Sequence, residues 1–135
     1  MSNVILENDT YCTGTKNSAA NELILFIDNT KELAAKRDDA YKFRLRVGKF
    51  KNILSALISY IAIPQYNSEI NNHQPKADKA VFDSAAIQEV LDYYIGMYPV
   101  WVEEQLRFMP KPVTLLDKAI IEKYEKELVK LKSAV

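Results

Sequence analysis

The stretch that decides the fold runs from residue 83 to residue 109, DSAAIQEVLDYYIGMYPVWVEEQLRFM. Within it Ile87, Val90, Leu91, Tyr94, Ile95 and Tyr98 fall at i, i+3, i+4, i+7, i+8 and i+11, the spacing that gathers apolar side chains on one side of an α-helix. Asp83, or Asp78 further upstream, supplies a carboxylate for the free N–H groups at its start. Pro99 interrupts the pattern, so the stretch reads either as one kinked helix or as a helix followed by a short second one from Val100 to about Met109. Pro110-Lys111-Pro112 then stops it.

Working outward toward the C-terminus, Thr114-x-x-Asp117 is a capping-box-like opening, with side chains able to satisfy each other's backbone donors. Ile121, Tyr124, Leu128, Leu131 and Val135 continue in steps of three and four to the last residue. Toward the N-terminus, IPQYNSEINNHQPKAD at 63–78 reads as a long polar loop, and Pro64 is expected to end the helix before it. That helix is expected from about Ala40 to about Ala62, with Phe43, Val47, Phe50, Leu54, Leu57 and Ile61 as its buried stripe and Gly48 as a weak point. Asp38 and Asp39 mark the break from a first helix that starts at Asn17 or Ser18. The run LILFI at 23–27 is short enough to be a buried strand. Ala19, Ala20, Glu32, Leu33, Ala34 and Ala35 extend it with good helix formers, which favours helix. Residues 1–17 are polar and irregular.

The expected fold is therefore all-α: a compact bundle of four to five helices in a single domain over 1–135, with an irregular N-terminal segment and one long polar loop. Three glycines and five prolines among 135 residues agree, because sheet proteins place these residues in many tight turns. The apolar fraction, 48%, is enough for a core without disulfides or metal. The longest apolar run, residues 53–63, is interrupted by Ser55, Ser59 and Tyr60 and is too short for a membrane span. No export signal is expected at the start of the chain, and a cytoplasmic location, or one inside a virion or other intracellular assembly, fits. Fourteen lysines against four arginines, with frequent Asn and Ile, are a usage typical of AT-rich genomes such as those of low-GC bacteria and their phages.

Chemistry-bearing residues are few. His73 stands alone in an Asn/Gln-rich stretch, and without a second histidine neither a two-histidine metal site nor a Glu-x-x-His di-iron motif is available. Cys12 excludes an intrachain disulfide and has no fixed positive charge beside it beyond Lys16 to activate a thiolate. Glu103 and Glu104 are adjacent, and neighbours on a helix point about 100° apart, so they do not share one acid–base site. Glu103 is better placed to pair with Arg107 one turn on. Gly14, Gly48 and Gly96 are isolated, which removes phosphate-cradling loops. The expectation is a protein without catalytic, metal or cofactor-binding residues, and not an enzyme.

Charge is segregated instead. Net charge is zero, yet Lys36, Arg37, Lys42, Arg44, Arg46, Lys49 and Lys51 against Asp38 and Asp39 leave +5 over residues 36–51. Asp83, Glu89, Asp92, Glu103 and Glu104 leave −5 over 83–104, interleaved with Tyr93, Tyr94, Tyr98 and Trp101. Aromatic side chains recur at protein interfaces because they bury large area at small entropic cost. The candidate partner-binding residues are accordingly Lys42, Arg44, Arg46, Lys49 and Lys51 on one side and Tyr93, Met97, Trp101, Glu103 and Glu104 on the other. The two charged regions can pair within one molecule or between copies. The function this points to is a helical interaction or assembly protein, a subunit or adaptor of a larger complex, of phage or viral kind on the coding bias. Two alternatives remain: a nucleic-acid-binding module using the basic face, and an inhibitor that docks on a host protein through its acidic tyrosine-rich face.

Overall fold

Five helices and no strand make up the described part of the chain, residues 16–109 and 111–133 of a computed structural model. They are α1 (Ser18–Asn29), α2 (Lys31–Val47), α3 (residues 51–69), α4 (Ser84–Phe108) and α5 (Leu115–Ser133). The all-α class is borne out, and LILFI lies inside α1. Cys12, Gly14, Pro110, Val135 and the irregular segment before Lys16 lie outside the described residues.

The starts of the helices follow the expected capping chemistry. Asn17 Oδ1 accepts the Ala20 N–H at 3.1 Å at the head of α1, and Asp83 Oδ1 accepts the Ala86 N–H at 2.9 Å at the head of α4. The capping box before α5 is complete. Asp117 N–H donates to Thr114 Oγ1 at 3.1 Å, while Thr114 N–H donates back to Asp117 Oδ2 at 3.0 Å. These backbone donors from Thr114 and Val113 hold the Asp117 carboxyl below its usual pKa.

The breaks between helices fall elsewhere than expected. Asp38 and Asp39 do not interrupt a helix; α2 runs through both. The first break is Thr30, extended at φ −103° and ψ 114°, which ends α1 and opens α2 in one residue. Arg37 explains why Asp38 is not needed as a cap: the guanidinium holds Asp38 at 3.1 Å and reaches across the corner to Asp28 at 2.5 Å. Gly48, at φ +84°, terminates α2 in the left-handed conformation that glycine adopts at least cost. The single helix expected over 40–62 is thus two, and its stripe splits. Phe50, Leu54 and Leu57 are buried, whereas Val47 is 52% and Ile61 39% exposed.

Pro64 does not end α3. The helix is built of Lys51–Ala56, a π-helical Leu57–Ala62 and Ile63–Glu69. In the widened part the Ile63 N–H reaches back five residues to the Ile58 carbonyl. A proline ring ordinarily collides with the carbonyl four residues earlier, here Tyr60, and the wider turn relieves that contact. The widening also explains which residues turn inward. Leu54, Ile58, Ala62 and Tyr66 are all buried at strict four-residue intervals. In a regular α-helix each such step drifts about 40°; a wider turn keeps them in line. The polar loop expected over 63–78 is therefore helix as far as Glu69, followed by two short 3-10 turns, Asn71–His73 and Lys76–Asp78. Asn71, itself buried, pins the connection: its Oδ1 accepts the Ala80 N–H at 3.0 Å and its Nδ2 donates to the Ala80 carbonyl at 3.1 Å.

Pro99 sits inside one helix, so residues 84–108 are α4 throughout. One apolar cluster draws on all five helices, with Leu23 and Ile27 of α1, Leu33 and Tyr41 of α2, Leu54 and Ile58 of α3, Val90 and Tyr98 of α4, and Tyr124 of α5. α5 contributes least, with Tyr124 as its one buried residue and Leu128 and Leu131 half-buried beside it. Tyr124, Leu128 and Leu131 of the C-terminal heptad are thus turned onto the chain's own core.

Candidate functional site

Seven of the ten candidate residues fall at two places: Tyr93, Met97, Trp101 and Glu104 at a cleft between α2 and α4, and Arg44, Lys49 and Lys51 at the α2–α3 bend. Tyr93, Met97, Trp101 and Glu104 recur at three- and four-residue spacing and line a cleft of about 100 Å³ with Asp28 of α1 and Arg37 and Tyr41 of α2. A hydrogen-bonded network forms its floor. The Tyr94 hydroxyl donates to Asp28 Oδ1 at 2.8 Å, with the Ile24 carbonyl 3.2 Å away on the same side. The Tyr41 hydroxyl donates to the Tyr94 carbonyl at 2.6 Å. Burial raises the pKa of both hydroxyls well above the ordinary tyrosine value, so they stay protonated donors at neutral pH. The Arg37 guanidinium is also raised, as Asp38 and Asp28 outweigh the opposing effect of burial. With Asp28, Asp38 and Glu104 set against the one arginine, the cleft and its edge carry a net charge of −2.

Trp101 belongs to the core more than to the surface. It is 7% exposed and its ring lies 5.3 Å from that of Tyr41, 5.7 Å from Tyr124 and stacked on Tyr98. Only a small part of it lines the cleft. Glu103 lies apart, exposed, 3.8 Å from Arg107 one turn on.

The basic residues do not share one face. Lys42 and Arg46 are exposed on α2, while Lys49 lies beyond the Gly48 stop and Lys51 opens α3. Arg44 turns inward, its guanidinium 4.2 Å from the Tyr98 ring centre and 4.8 Å from that of Phe50, a cation–π arrangement. Arg44, Lys49 and Lys51 border a broad groove at the α2–α3 bend that also takes in Val47, Ile53 and Ile95. Among the described residues, the ion pairs are Arg37 with Asp28 and Asp38, Arg107 with Glu103, and Lys126 with Glu122. Lys42, Arg46, Lys49 and Lys51 take part in none of them, so the basic and acidic segments are not joined by an ion pair within the molecule.

A third surface carries none of the residues singled out from the sequence. At the α4–α5 corner Phe108 is 73%, Val113 85%, Leu115 84% and Leu116 69% exposed, with Ile120 following one turn later at 40%. Met109, Val113, Ile120 and Ile121 frame a shallow cleft there. Part of the signal was present in the sequence: Leu115 and Leu116 lie off the Ile121/Tyr124/Leu128 stripe, whereas Val113 precedes the helix and Ile120 lies only about 40° from Tyr124.

His73 is exposed in its 3-10 turn, and no group of three potential metal ligands occurs among the described residues. No described helix is long and apolar enough to cross a membrane. Comparison with family models, curated proteins and solved structures finds no match.

Proposed function

We propose that the chain is a non-enzymatic helical interaction protein, a subunit or adaptor of a larger assembly, whose principal contact is the α4–α5 corner. The observation that carries this reading is the run of five large apolar side chains exposed between residues 108 and 120. Single exposed apolar residues are ordinary on any protein, but five large ones within thirteen residues at one corner are more than solubility alone favours, as at a surface that meets a partner. The AT-rich coding usage supports a phage or viral assembly, and with it an intracellular site of action. An inhibitor that docks on a host protein fits the same kind of contact.

The test uses Val113→Asp and Leu116→Asp, at positions too exposed to disturb the core. Light scattering on the purified chain reads self-association, and retention on the immobilised chain reads a foreign partner. The wild type is expected to associate or to retain a partner, and both variants to lose that contact while keeping the wild-type helical spectrum. A wild type that stays monomeric and retains nothing would overturn the proposal, as would variants that behave like it.

A second reading, nucleic-acid binding, is supported by Lys42, Arg46, Lys49 and Lys51, which are exposed and outside every ion pair among the described residues. Its mark is affinity that falls steeply with salt, with a slope of log K on log salt of about −3 to −4 for four phosphate contacts. Undetectable binding at low salt removes it.

A further inference from the structure

We propose that the acidic aromatic cleft between α2 and α4 receives a basic side chain, and that this side chain is Lys49 or Lys51 of a second copy, so that copies join head to tail. The inference rests on the reading of the chain as an assembly subunit but uses different residues from the α4–α5 corner.

The cleft has the chemistry of a cation receptor. Its one fixed cation, Arg37, is already held by Asp28 and Asp38, which leaves Glu104 at the mouth without a partner among the described ion pairs. Tyr41, Tyr93 and Trp101 add aromatic carbon against which an alkyl stem packs. Met97 adds a soft apolar wall for an alkyl stem. A volume of about 100 Å³ admits a few waters or the tip of one side chain, and excludes a helix or a nucleotide. An anion would meet Asp28, Asp38 and Glu104 and is repelled. A lysine with its methylenes against Met97 and its ammonium at Glu104 matches both parts.

The chain carries the matching donor. Lys49 and Lys51 flank the bend at Gly48, both exposed and both outside the ion pairs of the described residues. Neither pairs with Glu104 of its own molecule. On α4 the cleft is lined by Tyr93 and the basic groove by Ile95, two positions about 200° apart around a helix. Donor and receptor that face away from each other cannot pair within one molecule. Between copies they make a heterologous contact, which propagates into a ring or an open stack.

Two exposed-site variants test this. Glu104→Gln removes the receptor and leaves the donor; Lys49→Gln with Lys51→Gln removes the donor and leaves the receptor. Sedimentation velocity at low salt is expected to show wild-type species that grow with concentration and dissolve near 1 M salt, where the screening length is about 3 Å. Each variant alone is expected to be monomeric, its Kd raised at least about tenfold, or about 1.4 kcal/mol. Mixed together, the two variants are expected to stop at a one-to-one dimer, since one intact donor meets one intact receptor and nothing extends it. A wild type that stays monomeric at low salt overturns the proposal. So does assembly that persists in both variants, or a mixture that regains wild-type sizes. Assembly lost in Leu116→Asp but kept in both charge variants overturns it as well, while upholding the corner as the contact; the reverse pattern upholds this inference and overturns that one.

Discussion

Replacing Tyr124 by alanine is expected to detach α5 while leaving the other four helices folded. Tyr124 is the one buried residue of the 19-residue helix and is 6% exposed against Trp101. Truncating a buried aromatic side chain to alanine costs about 3–5 kcal/mol. Leu128 and Leu131, half-buried, and Glu127, which accepts a hydrogen bond from the Tyr98 hydroxyl, are the other anchors. An isolated helix of this length is only marginally stable in water, so α5 depends on that docking. Losing about 3–5 kcal/mol raises the local opening constant by about two to nearly four decades. Hydrogen exchange read by mass spectrometry measures this directly. Amides of residues 115–133 are expected to lose protection by that factor, while those of α1 and of α4 up to Tyr98 keep theirs. Loss of protection spread evenly over all five helices would refute the reasoning, because it would make α5 part of the cooperative core. Unchanged exchange in α5 would refute it too.

Three further outcomes follow from the same contacts. The hydroxyls of Tyr41, Tyr66, Tyr94, Tyr98 and Tyr124 are all raised above the ordinary value, chiefly by burial. A raised folded-state value stabilises fully below the unfolded value of about 10 and is lost as pH climbs toward the folded values. Stability is therefore expected to be flat through neutral pH and to fall above about pH 10, with tyrosinate absorbance from these residues appearing only as the helical spectrum is lost. Asn71→Ala strips the Ala80 N–H and carbonyl of their partner and is expected to cost about 1–3 kcal/mol in chemical denaturation, with faster proteolysis over 72–79. Gly48→Ala meets no atom within 4 Å, so its cost is backbone strain alone, about 1–2 kcal/mol, and Gly48→Asn is expected to recover part of it.

The helical class and the cap residues were legible in the sequence because both are local. Asn17, Asp83 and Thr114-x-x-Asp117 act on backbone donors within three residues, and the α4 pattern from Ile87 to Tyr98 needs no knowledge of its partner. The breaks were less legible because tertiary contacts decide them. Asp38 looks like a cap until Arg37 is seen to hold it together with Asp28. Gly48 looks like a weak point within a helix until the chain beyond it is seen to turn. Pro64 reads as a stop, and only the widening of the turn before it lets the helix continue. Among the candidate contact residues, Tyr93, Met97 and Glu104 gather around one cleft as their helical spacing implies. Arg44 went inward because the Phe50 and Tyr98 rings lie beneath it, which no spacing along the chain reveals. The apolar corner is hard to read in the sequence because its residues sit beside a strong stripe, and only the way α5 packs shows that Val113 and Ile120 stay outside with Leu115 and Leu116.

The widened turn of α3 has a consequence for how this chain tolerates length changes. A turn closed by i→i+5 bonds holds one residue more than its neighbours, so residues 57–62 amount to an insertion absorbed without shifting the helix on either side. Removing one residue from an ordinary buried helix rotates everything after it by about 100°. Here a one-residue deletion at the exposed Tyr60, combined with Pro64→Ala so that the tighter turn has its donor back, returns α3 to uniform winding with Leu54 and Tyr66 still facing the core. The segment is a length buffer, and with Pro64 replaced it marks α3 as the helix in which a lost codon is most readily absorbed.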